Sequence, residues 1–218
     1  MIYYAAHATG ARSRSAIRAA GLGMLGSAAY RWTDSEWHPI ASGGLGWAID
    51  NGAWSAHQQR RPFDEDRFRL VATTCGPADF IVCPDVVMDW PGTVFMRDRW
   101  LDWLLNETAH RVLLPVQDGA RSSEIRPLLG VRVGIFVGGS TAWKLSTMRG
   151  WADLAHEQGA YCHVGRVNWT GRVRLCRDAG ADSVDGSGPA QFSDTAAIVA
   201  AGLTGPLQTG IPFRSRDV

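Results

Sequence analysis

Val112-Leu113-Leu114-Pro115-Val116 is an apolar run of strand length that stops on a polar tip, Gln117-Asp118-Gly119, and this layout decides the fold because it recurs along the chain. Ile2 to Ala6 runs into His7, Gly46 to Ile49 into Asp50-Asn51-Gly52, and Phe80 to Cys83 into Pro84-Asp85. Val133 to Val137 runs into Gly138-Gly139-Ser140, Ala160 to Cys162 into His163, and Ser183-Val184 into Asp185-Gly186. Segments with helical spacing lie between these runs: Phe63 to Thr74, Thr93 to Thr108, Ser122 to Leu129, Ser146 to Gln158, Trp169 to Asp178 and Ser193 to Ala201. In the clearest of them Val94, Leu101, Leu104 and Leu105 share a face. Short apolar runs alternating with helices indicate parallel βα units.

The pattern predicts an α/β fold, a (β/α)8 TIM-like barrel formed by residues 1–218 as one domain, with the polar tips facing a common mouth. Seven strands can be read and the eighth stays open, so the barrel is expected to be compact or incomplete. Residues Gly10 to Gly44 resist assignment: Gly21, Gly23 and Gly26 interrupt any long helix, and Trp32, Trp37 and Pro39 suggest a packed excursion covering the mouth. An open doubly wound sheet is the alternative. It is disfavoured because neither a G-x-G-x-x-G loop nor a Walker lysine motif follows the first strand.

Composition narrows the function classes. The chain is 45% hydrophobic with a net charge of +1, and its only lysine is Lys144. Near-neutral charge counts against tight independent binding to a duplex, so any nucleic-acid contact must be local. Arg12, Arg14, Arg18, Arg60, Arg61, Arg166, Arg172, Arg174 and Arg177 are the arginines placed for it, each also readable as a solvated surface residue. Cys75, Cys83, Cys162 and Cys176 show neither zinc-ligand nor disulfide spacing, and Cys83 and Cys162 fall in apolar runs as core residues. No signal-like or membrane-length apolar segment is present, which predicts a cytoplasmic setting, the host cytoplasm for a phage-encoded protein.

Asp50, Asp85 and Asp185 at strand ends, with Gln117 and the pair Gly138 and Gly139, would meet in one pocket of such a barrel. A carboxylate can attack an anomeric carbon while a second carboxyl group handles the leaving-group proton, the logic of retaining glycosyl transfer. A flat purine-like ring needs an aromatic face, an amide, a carboxylate edge and backbone N–H donors.

These segments resemble the guanine transglycosylases, which exchange guanine for a 7-deazaguanine base. Asp50-Asn51-Gly52-Ala53-Trp54 resembles the family's Asp-Ser-Gly-Gly-aromatic segment, Val116-Gln117-Asp118-Gly119 its Val-Gln-Gly-Gly, and Val137-Gly138-Gly139-Ser140 its Ile-Gly-Gly-Leu. Gly180-Ala181-Asp182-Ser183-Val184-Asp185 resembles Gly-x-Asp-x-Phe-Asp, whose last aspartate is the nucleophile. The matches stand in family order from about Asp50 to Pro189. The resemblance implies Asp185 as nucleophile, Asp50 as general acid and base, Asp85 and Gln117 on the base edge, Gly138 and Gly139 as the backbone donor loop, and Trp54 as the stacking ring. His163 lies beside the pocket by position, and a core histidine is the plainer reading.

Two departures shape the expectation. The Cys-x-Cys-x-x-Cys plus His zinc subdomain of the tRNA enzymes is not found after Asp185, and Lys144 stands where a family segment ends in glutamate, which leaves the incoming base open. A short, zinc-free chain is more similar to the DpdA-type branch that inserts 7-deazaguanines into DNA. The resemblance therefore implies base exchange in DNA, with tRNA as alternative, a 7-deazaguanine such as 7-cyano-7-deazaguanine as second substrate, no metal or other cofactor, and a homodimer or partner subunit. Rival functions are a nucleoside or base hydrolase and a non-catalytic base-binding subunit. Locally the blander readings are a turn at Asp50-Asn51-Gly52, a cap at Asp85, a tight turn at Gly138-Gly139 and a structural Asp182.

Overall fold

The computed structural model describes residues 1–30 and 46–204, in which eight parallel strands close into a barrel, each pairing with the next and the last with the first. They are β1 (Ile2–Ala6), β2 (Gly23–Ser27), β3 (Trp47–Asp50), β4 (Ile81–Val82), β5 (Val112–Val116), β6 (Val133–Val137), β7 (Cys162–Val164) and β8 (Ser183–Gly186). The described helices are α1 (Ala11–Ala19), α2 (Ala53–Gln58), α3 (Glu65–Thr74), α4 (Trp90–Glu107), α5 (Ser122–Ile125), α6 (Thr141–Glu157), α7 (Thr170–Asp178), α8 (Gly188–Gln191) and α9 (Thr195–Thr204). The (β/α)8 TIM-like architecture is thus present, and the barrel is closed, correcting the expectation that it could be incomplete.

The eighth strand is β2, inside the stretch that defied assignment. Its glycines hide the strand pattern for a packing reason. A Cβ on Gly23 would lie 2.7 Å from the carbonyl oxygen of Gly46 and 2.8 Å from the Tyr4 ring, so only glycine lets that ring enter the barrel. Trp32, Trp37 and Pro39 lie outside the described residues.

Strand alternation sorts the core into two parts. Tyr4, Leu25, Ala48, Phe80, Val82 and Leu113 fill the barrel with Phe136 and Tyr161, while Tyr3, Ile49, Leu114, Val137 and Val184 belong to the cluster shared with the helices. The same alternation carries Asp50 two residues beyond Ala48, and Ser183 and Asp185 on either side of Val184, to the inner face. Three expected tips lie inside strands: Asp50 is the last residue of β3, His163 is followed by Val164 within β7, and Asp185 is inside β8, because the strands continue through these polar residues.

Caps explain the helix starts. The Asp64 carboxylate accepts from Arg67 N at 2.9 Å, Asp89 from Gly92 N at 3.2 Å, and the Ser140 hydroxyl oxygen from Trp143 N at 3.3 Å. The last of these starts α6 at Thr141, earlier than the expected Ser146. On α4 the fully buried residues are Thr93, Trp100, Leu101 and Leu104, with Val94 and Leu105 only partly covered, because Trp100 packs edge-on against Phe68 of α3. No described helix is long and apolar enough to cross a membrane.

Candidate active site

The C-terminal ends of the strands gather the predicted residues at one end of the barrel. Asp185 lies on β8, Asp50 at the end of β3, and Asp85, Gln117, Gly138 and Gly139 in the connections just after β4, β5 and β6. Asp185 is held from below and from the side. Its Oδ1 lies 2.9 Å from His163 Nε2 and accepts the backbone N–H of Arg166 at 3.2 Å, while Oδ2 has no partner among the described residues. The carboxylate therefore has one oxygen fixed by the fold and one available to a ligand.

Asp50 sits half-buried in the same end. Burial and then the negative charge of Asp185 push its carboxyl up from the ordinary 3.8 to about 7, against hydrogen bonds from Gly52 N–H at 3.0 Å and the Ser27 side chain. Near neutral pH it therefore still retains a proton that an ordinary aspartate has lost, which is what a general acid needs. Asp85 is pushed up to about 6, first by burial, with Asn51 and Arg166 drawing it down. Asn51 Nδ2 bridges Asp85 Oδ1 at 2.9 Å and the Cys83 carbonyl at 2.8 Å, tying the end of β3 to that of β4.

Two cations complete the site. Arg166 has φ of 59°, a left-handed conformation rare outside glycine, and its Nη2 donates to the Gly139 carbonyl while the guanidinium lies 4.4 Å from the centre of the Trp54 ring. Strained backbone of this kind concentrates at ligand sites. Lys144 is buried and donates to the Gly165 carbonyl; burial, then Arg166, pushes it down to about 8. The sequence offers Arg166 only as one of nine arginines for a local nucleic-acid contact or a solvated surface, and Lys144 only as a family mismatch. Ser27 went unseen with its strand, and Trp54 and Arg166 lie too far apart in the sequence for either to hint at the other.

The loops differ in how much they leave open. Gly139 is buried, its N–H has no acceptor among the described residues, and its φ of 71° and a prospective Cβ only 2.6 Å from Asp118 Oδ2 require glycine there. Gly138 N–H is used by the Val116 carbonyl at 2.8 Å. Trp54 is partly exposed, with one neighbour in Arg166 and another in the stacked His57 ring at 5.9 Å. Asp182 is indeed structural, accepting from Cys162 N at 2.8 Å and facing His156.

Gln117 stands apart from its expected place on a base edge. Its Nε2 donates to the Val86 carbonyl at 2.7 Å and to Thr93 Oγ1 at 2.5 Å, and its Oε1 accepts Met88 N–H at 2.8 Å. With both amide protons engaged, the side chain clamps the loop between β4 and α4. Gln117→Ala leaves these buried groups without partners and is expected to cost about 2 kcal/mol in urea unfolding. An unchanged midpoint would show that the clamp is not stabilising.

A cleft of about 660 Å³ opens between the ends of β2 and β3 and the α2 to α3 connection, and it meets the site at Asn51 and Gly52 without reaching Asp185. No three histidine, cysteine or acidic side chains are placed to hold a metal ion among the described residues. Comparison with protein-family models and with curated proteins finds no match for this chain.

Proposed function

We propose that this barrel exchanges a guanine base in DNA for a 7-deazaguanine through a covalent glycosyl-aspartate intermediate. The observation that carries the reading is the pair Asp50 and Asp185, projecting from β3 and β8 into one end of the barrel and coupled strongly enough that Asp185 helps raise Asp50 to about 7. Environments that give two neighbouring carboxyl groups different tasks are a mark of acid and base assignment.

In this reading an oxygen of Asp185 forms a bond to C1′ as the bond from C1′ to the guanine nitrogen breaks. Asp50 gives its proton to the departing base. The incoming base then loses a proton to Asp50 and attacks C1′, and the ester to Asp185 breaks, returning both carboxyl groups to their starting states. Asp85 and the Gly139 N–H supply an acceptor and a donor for base edges, and Trp54 supplies a ring face once Arg166 moves from it.

The rim also favours an unpaired strand over a duplex. Tyr30, Trp54, Met88, Trp169 and Phe192 are exposed on connections after β2, β3, β4, β7 and β8, and Arg60, Arg61 and Arg121 are exposed after β3 and β5. Aromatic faces with arginine suit unstacked bases. The test is to supply labelled guanine with single- and double-stranded DNA and with tRNA. Label entering DNA is expected. Free base released without incorporation would instead mean hydrolysis, label entering tRNA alone would move the substrate to RNA, and neither event with any nucleic acid would leave a binding role.

A further inference from the structure

Lys144, the chain's only lysine, is buried on α6 and has no part in the base-exchange steps. Its Nζ donates to the Gly165 carbonyl. The N–H of the same peptide bond, that of Arg166, donates to Asp185 Oδ1 at 3.2 Å. A trans peptide is planar, with its C=O and N–H pointing in opposite directions. This one therefore stands between an ammonium and a carboxylate with each end on its partner. The positive charge at the carbonyl also polarises the amide, which strengthens its N–H as a donor.

The peptides on either side are tied down by other groups. Gly165 N–H donates to the Val137 carbonyl at 3.0 Å, and Val167 N–H to the Asp185 carbonyl at 2.5 Å. The Gly165–Arg166 peptide lies between them in a strained setting, because it holds Arg166 at a φ of 59°, where a residue with a side chain is disfavoured. Turning that peptide over would return Arg166 to ordinary negative φ and aim the Gly165 carbonyl, not the N–H, at Asp185. Glycine at 165 puts up no resistance to the turn. It is required for room: a Cβ there would lie 2.5 Å from the Phe136 ring and 3.3 Å from Asp185 Oδ1. A group outside the local backbone must hold the strained orientation, and the buried ammonium is the one in contact with the carbonyl.

We infer that Lys144 is a positioning residue for Asp185, holding the Gly165–Arg166 peptide in the orientation that presents its N–H to the carboxylate. Packing alone gives no reason for a lysine at this position. Burial, Arg166 and Arg172 all work against an ammonium there, with Asp185 in its favour, and a methionine would fill the same space without that cost. The contact with Gly165 is what an ammonium adds. That Asp185 is the nucleophile rests on the base-exchange reading, whereas the placement of the peptide does not.

Selective labelling makes the test specific. Gly165-Arg166 and Gly171-Arg172 are the only glycine–arginine pairs in the sequence, so glycine labelled at the carbonyl carbon with nitrogen-15 arginine isolates the Arg166 amide and supplies that of Arg172 as a control. Asp185→Ala, which removes the acceptor, sets the upfield change of the Arg166 amide proton when its hydrogen bond is lost. Lys144→Met is expected to move that proton the same way and to speed its exchange with water by about tenfold or more, without the same change at Arg172. In base exchange the variant is expected to lose about tenfold in kcat with the KM for DNA unchanged. An Arg166 signal that stays in place in Lys144→Met would overturn the inference. A second measurement needs no variant, since lysine labelled at Nζ gives a single ammonium signal. That signal is expected to be visible at pH 7, its exchange slowed by the Gly165 contact; exchange as fast as that of free lysine would equally overturn the inference. A displaced Arg166 signal in a protein that exchanges no base would count against the proposed function and leave the role of Lys144 standing.

Discussion

Asp185→Ala is expected to lower base exchange by about 10⁴-fold or more, because it removes the proposed nucleophile, the group that would form the bond to C1′. The loss should fall on the chemical step, so DNA is still retained by the rim while label no longer enters it. Asp185→Asn makes the stricter comparison. Its amide keeps the shape and an oxygen for the Arg166 N–H contact at 3.2 Å, so a folded and equally inactive variant separates chemistry from packing. Full exchange by either variant would show that Asp185 is not the nucleophile.

Asp50→Asn is the second large effect, and it acts in opposite directions on activity and stability. As the proposed general acid and base, Asp50 is expected to contribute about 10²- to 10⁴-fold, and exchange should fall by that factor. In the unaltered protein the rate of cleavage is expected to decline above about pH 7, as the proton that Asp50 gives to the base is lost. The residual activity of Asp50→Asn should lack that limb. For stability the sign is reversed. The folded carboxyl is raised from 3.8 to about 7, so between those values the unfolded chain has given up a proton that the folded one retains, and folding weakens as pH rises through this window. Above about pH 7 the cost is complete. Asparagine removes it, so at pH 8 the variant should be more stable by a few kcal/mol, on the order expected for a shift of this size in a carboxyl not wholly sealed from water. Equal melting temperatures at pH 8 would argue that Asp50 is not strained by burial and by Asp185.

The barrel was legible because strand ends coincide with changes of polarity. Val112 to Val116 and Val133 to Val137 match β5 and β6 residue for residue. Elsewhere polarity misleads. His163, Ser183 and Asp185 are polar residues inside strands, since a barrel interior near its mouth can be polar where the helix-facing side cannot. Strand β2 was hidden by Gly23 and Gly26, and glycine there answers to the bulk of Tyr4 on the neighbouring strand, a pairing that no local pattern reports.

The site divides the same way. Asp50, Asp85 and Asp185 are readable as carboxylates at strand ends, and the structure brings Asp50 and Asp185 within electrostatic reach of one another. Gln117 has the right place in the sequence but spends its amide on the β4 to α4 loop. Arg166 and Lys144 were not readable, because their roles depend on a left-handed backbone turn and on a helix that delivers the lysine to a carbonyl of another loop. The polar contacts behind Asp185 are equally silent in sequence, being assembled from His163 on β7 and Ser183 on β8.

The central claim is a covalent bond between DNA and Asp185, and the most direct measurement is to quench the protein during exchange, digest it and weigh its peptides. A glycosylated peptide carrying the adduct on Asp185 is expected, absent from Asp185→Ala and visible as a slower species on denaturing electrophoresis. Active exchange with no such adduct, or with the adduct on another residue, would contradict it.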